Sequence, residues 1–390
     1  MICGVIDPLA PFLDLDLDAL HRRRGVKWSR YPADVLPAWV ADMDYPIAPS
    51  IRSALEAAIR DGDLGYPPDD SAVARAFAAW NAGRTALVVE PSRTHLMPDV
   101  VKAIENVIMA TTAPGDGILV MTPVYPPFLK VIAATGRKVV ETILDADGRI
   151  VIEDLARAFE VGRPRIVLLC SPHNPTGTVF STVELTAVAG LAARHDALVI
   201  ADEIHADIVY EGHQHVPFDA IAAGTVRVVT MTSASKAFNL AGLRCALVVA
   251  SDDEVHHSIM ATSVFARDAV GTLGIVGALA AWSPGGREWL DQCLVVLDRN
   301  RRTVAAWAAS RPAIGHRMPE ATYLAWLDLR AYELGPVPSH WLLHEAKVAL
   351  SPGPDFGSPG EGFARLNFAT SPAILEQILE RVGDALDRHG

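Results

Sequence analysis

The sequence predicts an α/β protein in which a large domain, built on a mostly parallel sheet, is followed by a smaller α+β domain. Three observations carry this. Short β-rich apolar runs alternate with helical patterns between positions 47 and 282, and the character of the chain changes after Ser283-Pro284-Gly285-Gly286. At 390 residues the chain also exceeds the usual size of a single hydrophobic core.

The apolar runs are Gly117–Pro123, Lys138–Leu144, Arg165–Pro172, Ala197–Ile204, Val226–Ser233 and Cys245–Ser251. Between the third and fourth, Ser181 and Glu184 have the S-x-x-E form of a capping box, and Leu185, Val188 and Leu191 follow at helical spacing. That stretch reads as a crossover helix. Beyond the Ser-Pro-Gly-Gly break a long helical run covers Arg287–Ser310, then come strand-like Tyr323–Leu329 and Ala364–Phe368 and a final helix from Ala373. Residues 1–46 precede the large-domain pattern and carry Trp28 and Trp39, so they are expected to pack on the smaller domain. The large domain is therefore placed at 47–285 and the smaller at 1–46 plus 286–390.

Half the residues are apolar and 21% are charged, the balance of a globular protein. A net charge of -12 disfavours nucleic acid and anionic membranes as partners, because phosphate neutralisation needs a basic face. Met1–Leu20 has no basic segment followed by an apolar run, and no stretch has the length and lack of charge of a membrane span. The four cysteines are scattered without paired spacing, which suggests neither disulfides nor zinc and fits a reducing cytoplasm. Zincin, P-loop, α/β-hydrolase and dinucleotide motifs are missing from the sequence. Asp202, Glu203, His205 and Asp207 offer metal-type ligands, but a strand turns alternate side chains to opposite faces, so no metal is expected.

Among six lysines, Lys236 stands apart. The other five read as solvated surface groups. Lys236 follows an apolar strand in Thr232-Ser233-Ala234-Ser235-Lys236, at the strand end where α/β sheets place ligands, and a lysine there can form an imine with an aldehyde cofactor. Nearby hydroxyls and Arg244 can hold a phosphate dianion. Asn174, in Ser171-Pro172-His173-Asn174-Pro175-Thr176-Gly177, can donate to a phenolate-like oxygen. Asp202, ending Ala197–Ala201, can pair with a protonated pyridine nitrogen. Taken singly, each has an ordinary reading: a surface lysine, a proline-rich turn, a capping aspartate.

Together, Asn-Pro-Thr-Gly, the strand-terminal Asp202, and Ser-x-Ser-Lys with Arg244 beyond it resemble fold-type I aminotransferase-like enzymes dependent on pyridoxal 5'-phosphate (PLP). The likeness runs from about Lys27 to Phe368. Within that superfamily the chain is more similar to the MalY/PatB-like cystathionine β-lyase and cysteine-S-conjugate lyase branch. Trp39–Asp44, Gly65-Tyr66, Thr122–Phe128, Asp202–Asp207 and Arg365–Phe368 carry this closer resemblance. His205 stands where many aminotransferases have tyrosine. Arg244 departs from several lyase-branch members, which leaves transamination open.

The resemblance implies roles. Lys236 carries PLP as a Schiff base, Asp202 faces the ring nitrogen, Asn174 the ring oxygen, and Tyr125 stacks on the ring. Phosphate contacts come from Asp99, Val100 and Val101 at a helix start, from Ser233, Ser235 and Arg244, and from Tyr66 of a neighbouring subunit in a homodimer with shared sites. Arg365 grips the α-carboxylate of an amino-acid substrate, with Asn174 and the main chain of Val40 and Ala41. His205 is read equally as a cofactor contact or a core histidine, and Glu203 and Asp207 as structural. The implied activity is β-elimination from cystathionine or another S-substituted cysteine, yielding thiol, pyruvate and ammonia; the alternatives are transamination, or decarboxylation with oxidative deamination of a larger S-conjugate. A purely regulatory binding protein is disfavoured because Lys236, Asp202 and Asn174 are all present.

Overall fold

A computed structural model describes residues 7–67, 70–262 and 269–389. Its main sheet has seven strands in the spatial order Thr94–Met97, Ala246–Ala250, Val228–Thr232, Leu198–Asp202, Ile166–Cys170, Gly117–Thr122 and Lys138–Ile143. The last five pair in parallel, whereas Ala246–Ala250 runs antiparallel to both of its neighbours. All six sequence-predicted runs are strands. Two features were not foreseen: the short strand Thr94–Met97 and the reversed direction of Ala246–Ala250.

Residues alternate between the two faces of this sheet. Ile118, Val120, Ile166, Leu168, Leu198 and Ile200 pack with the helices Val100–Thr111 and Pro126–Ala134 on one side. Leu119, Met121, Val167, Leu169, Val199 and Ala201 pack with Ile152–Gly162 and Thr182–Arg194 on the other. Both faces are therefore covered, which is why these strands read as continuous apolar runs. The crossover helix starts as its sequence suggests: Ser181 Oγ accepts the Glu184 N–H at 3.3 Å, and the Glu184 carboxylate accepts the Ser181 N–H at 2.7 Å.

The Ser283–Gly286 break is a tight corner between two helices, Thr272–Ala281 and Pro284–Ala309. A Cβ on Gly286 would lie 1.9 Å from the Ala281 carbonyl oxygen, so only glycine fits this approach. A second, four-stranded sheet is ordered Ser351–Pro352, Phe363–Asn367, Leu324–Asp328, Gly315–His316, and the chain closes with the helix Pro372–His389. The N-terminal segment runs beside this sheet: Leu36 and Pro37 pair with Val348 and Ala349, and the Asp44 N–H donates to Ala369 O at 2.9 Å.

Lys27 is a correction. It is buried rather than solvated, donating to Asp42 O at 3.0 Å and pairing with Asp44 at 2.9 Å, with the Trp28 indole on the same carboxylate at 2.7 Å. No helix among the described residues is long and apolar enough to cross a membrane. Cys170, Cys245 and Cys293 are free thiols; Cys3 lies outside the described residues.

Candidate active site

The parallel strands end on one edge of the main sheet, and the loops leaving that edge carry the chemistry. Tyr125 follows Gly117–Thr122, Asn174 follows Ile166–Cys170, Asp202 ends its own strand, and Lys236 follows Val228–Thr232. Thr94–Met97 ends on the same edge and leads into the helix Val100–Thr111, while Arg244 and Cys245 enter Ala246–Ala250 there. Ligands of open α/β sheets sit at this edge because the loops converge on it. Here they enclose a cavity of about 290 Å³, roofed by Val40, Ala41 and Asp42. Every residue singled out from the sequence for the site lines this cavity except Arg365 and Tyr66.

Lys236 Nζ donates to Ala41 O at 2.8 Å, and burial lowers its pKa from the ordinary lysine value, favouring a neutral amine. Asp202 accepts the Ile204 N–H at 3.1 Å, and burial pushes its carboxyl up to about 7. A cation against it would offset that desolvation. Burial takes His205 down to about 3, so its imidazole is neutral, and its buried Nδ1 has no protein partner. Tyr125 caps the helix Pro126–Ala134, its ring edge-on to Phe128 at 5.8 Å.

Arg365 sits behind the cavity wall on Phe363–Asn367 and is 5% exposed. Its guanidinium donates to Asn174 Oδ1 at 2.8 Å, to Trp39 O at 3.0 Å and to Ser351 Oγ at 3.1 Å, while Nε has no partner. No carboxylate among the described residues pairs with it, and burial lowers its pKa to about 10. A buried, unpaired cation costs about 3–5 kcal/mol, which an incoming carboxylate would offset. The same contact fixes Asn174: its oxygen faces Arg365, which leaves its amide N–H groups as donors.

The anion end is more committed than the sequence suggests. Asp99 caps the helix Val100–Thr111, accepting the Lys102 N–H at 2.8 Å, and its carboxylate also pairs with Arg244. Ser233 Oγ donates to Cys245 O at 2.6 Å and accepts the Ser235 N–H at 3.1 Å. What remains for an anion is the helix start at Val100 and Val101, the Ser235 hydroxyl and the outer donors of Arg244. Tyr66 is fully exposed, in a turn whose Gly65 carbonyl accepts the Thr272 hydroxyl of the same chain. Glu203 and Asp207 do not line the cavity. Glu203 accepts the Phe218 N–H at 2.8 Å, and Asp207 accepts the Trp80 indole and Arg84, each at 2.9 Å. No metal-holding cluster occurs among the described residues.

Sequence reasoning missed the residues that hold the roof. Asn367 Nδ2 donates to Val40 O and Asp42 O, both at 2.7 Å, Tyr323 OH donates to Ala41 O at 2.9 Å, and Asn239 Nδ2 donates to Met43 O at 3.0 Å. Asn367 lies in the Arg365–Phe368 segment, Asn239 just beyond Lys236 and Tyr323 at the start of a strand-like run, and none of these patterns marks a roof support.

A half-buried amine, a buried carboxylate that needs a cation, an aromatic wall and a helix start form a donor set that fits a flat phosphorylated pyridine aldehyde. Residues 35–382 match the model of the class I and II aminotransferases, and the chain belongs to that family. Within it, the chain is 36% identical to the cystathionine β-lyase of Corynebacterium glutamicum, over 95% of this chain and 99% of the relative. It is 33% identical to the cystathionine β-lyase PatB of Bacillus subtilis, over 95% of this chain and all of the relative. Among solved structures, cystalysin from Treponema denticola, which contains PLP, superposes with a TM-score of 0.89 at 28% identity, covering 94% of this chain and 97% of that one.

Proposed function

We propose that the protein is a PLP-dependent carbon–sulfur β-lyase acting on cystathionine or another S-substituted cysteine. The observation that carries this reading is a buried, carboxylate-free Arg365 behind the wall of the cavity that Lys236 lines, in a chain aligned nearly end to end with cystathionine β-lyases. Arg365 binds the substrate α-carboxylate, and Asn174 adds an amide N–H at its edge. Lys236 Nζ takes the α-proton, and burial, by lowering its pKa, favours the neutral amine that this step requires. PLP, when bound, supplies the electron sink for the charge left on Cα. The electron pair then expels the Cβ sulfur as thiolate, which takes up a proton as thiol, and the three-carbon enamine left behind is hydrolysed by one water to pyruvate and ammonia.

With PLP bound, Asp202 would hold the positive charge of the ring nitrogen, Tyr125 would stack on the ring, and neutral His205 would lie beside it. Val100, Val101, Ser235 and Arg244 would hold the phosphate, with Asp99 and Ser233 shaping that end. Tyr66, wholly exposed in one chain, completes the phosphate site of a second copy in a homodimer. We place one unit at 47–285, with the seven-stranded sheet, and one at 1–46 plus 286–390, with the four-stranded sheet, and a cytoplasmic setting accords with the free thiols. Transamination is the second reading, favoured by Arg244. Incubation with S-propyl-L-cysteine and no 2-oxo acid decides between them: thiol and pyruvate in equal amounts are expected, and strict dependence on a 2-oxo acid without thiol release would sink the lyase reading.

A further inference from the structure

We propose that Asp42 selects substrates whose leaving thiol carries a positive charge, the distal ammonium of a cystathionine-type conjugate being the group it receives. The inference rests on the lyase reading and goes beyond it by naming what distinguishes one S-substituted cysteine from another.

Asp42 lines the cavity, on the segment that roofs Lys236. Its main chain is held on both sides: the N–H donates to Val40 O at 2.9 Å, and the carbonyl accepts Asn367 Nδ2 at 2.7 Å and Lys27 Nζ at 3.0 Å. The side chain is thus presented from a fixed backbone, and no ion pair among the described residues engages its carboxylate. The Lys27 ammonium is buried and paired with Asp44 at 2.9 Å. The other charged groups in and behind the cavity wall have tasks of their own. Arg244 pairs with Asp99, Asp202 faces the ring nitrogen, and Arg365 meets the α-carboxylate.

Lys236 Nζ is held at 2.8 Å on the carbonyl of Ala41, the residue before Asp42, and after burial Asp42 has the largest effect on that amine. Lys236 must be neutral to take a proton, and at that moment the Asp42 charge stands unopposed in a half-buried site. An ammonium on the leaving side of the substrate restores the balance. A neutral alkyl group does not.

Removing one amino group from cystathionine gives S-(3-carboxypropyl)-L-cysteine, which keeps the chain length and the distal carboxylate. In the holoenzyme, kcat/KM for cystathionine should exceed that for this analogue by roughly tenfold, the worth of one partly desolvated charge pair. Asp42→Asn should bring the ratio close to one, and Asp42→Glu should keep it above one. A parallel readout uses two ligands lacking the cysteine-side amino group, which cannot react, one with and one without the distal ammonium. Calorimetry should show the charged ligand binding about tenfold tighter to the wild type and equally with its partner to Asp42→Asn. No preference in the wild type, or a preference retained in Asp42→Asn, would overturn the proposal. Equal losses on both substrates with a shifted pH profile would overturn it too, assigning Asp42 to Lys236 alone. If no S-substituted cysteine is cleaved, the lyase reading fails by itself, and the calorimetric pair still tests Asp42.

Discussion

The floor of the cavity and its roof are held by different means. On the floor, Asp202, Asn174 and Lys236 stand at the ends of adjacent parallel strands, so the ladder that forms the sheet also sets their spacing. The roof, residues 39–45, has no ladder along most of its length. It hangs from the side chains of Asn367, Tyr323, Asn239, Ser351 and Arg365, each bonded to main-chain carbonyls. The floor is rigid by topology and the roof by a handful of polar contacts, so cofactor chemistry should depend on the first and substrate handling on the second.

Asp202→Ala strikes the floor and should have the largest effect. Loss of the partner for the ring nitrogen should weaken PLP binding and lower kcat by roughly a hundredfold or more, the scale of a lost electrostatic contact at the reacting centre. Near-normal turnover in a steady-state assay would break the distinction. Arg365→Ala strikes the substrate side, where a charge-assisted contact worth about 1.5–3 kcal/mol should raise KM by roughly ten- to a hundredfold. The visible spectrum of the bound cofactor should stay as in the wild type. Asn367→Ala removes one of two donors from each of the Val40 and Asp42 carbonyls, which keep the Asp42 N–H and Lys27 Nζ respectively, and should cost about 1–3 kcal/mol of stability in denaturant titration. It should raise KM more than it lowers cofactor affinity.

The smallest effect concerns pH. In the cofactor-free chain, burial raises Asp202 from 3.8 to about 7, so the folded state favours its protonated form. Its contribution to stability is full below 3.8 and is lost as pH rises through about 7. Asp202→Asn should flatten that part of the stability–pH curve, whereas cofactor binding, by supplying a cation, should remove it in the wild type.

The same division explains what the sequence could reveal. Lys236, Asp202 and Asn174 are legible because each lies just past an apolar run, so local pattern and strand-end geometry suffice. The contacts of Asn367 with Val40 and of Ser351 with Trp39 span more than 300 residues, and nothing local in Asn367 or Ser351 marks them as roof supports. Lys27 was misread for the same reason, since its buried partner Asp44 belongs to the roof segment. In the fold, long apolar runs declared themselves, but Thr94–Met97 is too short for its period to be read, and strand direction is not written in local pattern. Ser233 and Arg244 line the cavity, but their protein partners, Cys245 and Asp99, depend on how the strands assemble.

Everything on the floor turns on Lys236 as the residue joined to the cofactor. Borohydride reduction of the PLP-loaded protein, followed by peptide mapping, reads this directly, because only five other lysines compete. The visible band should vanish and the phosphopyridoxyl group should appear on the peptide containing Lys236; its attachment to another lysine, or loss of the band with no labelled peptide, would contradict the assignment.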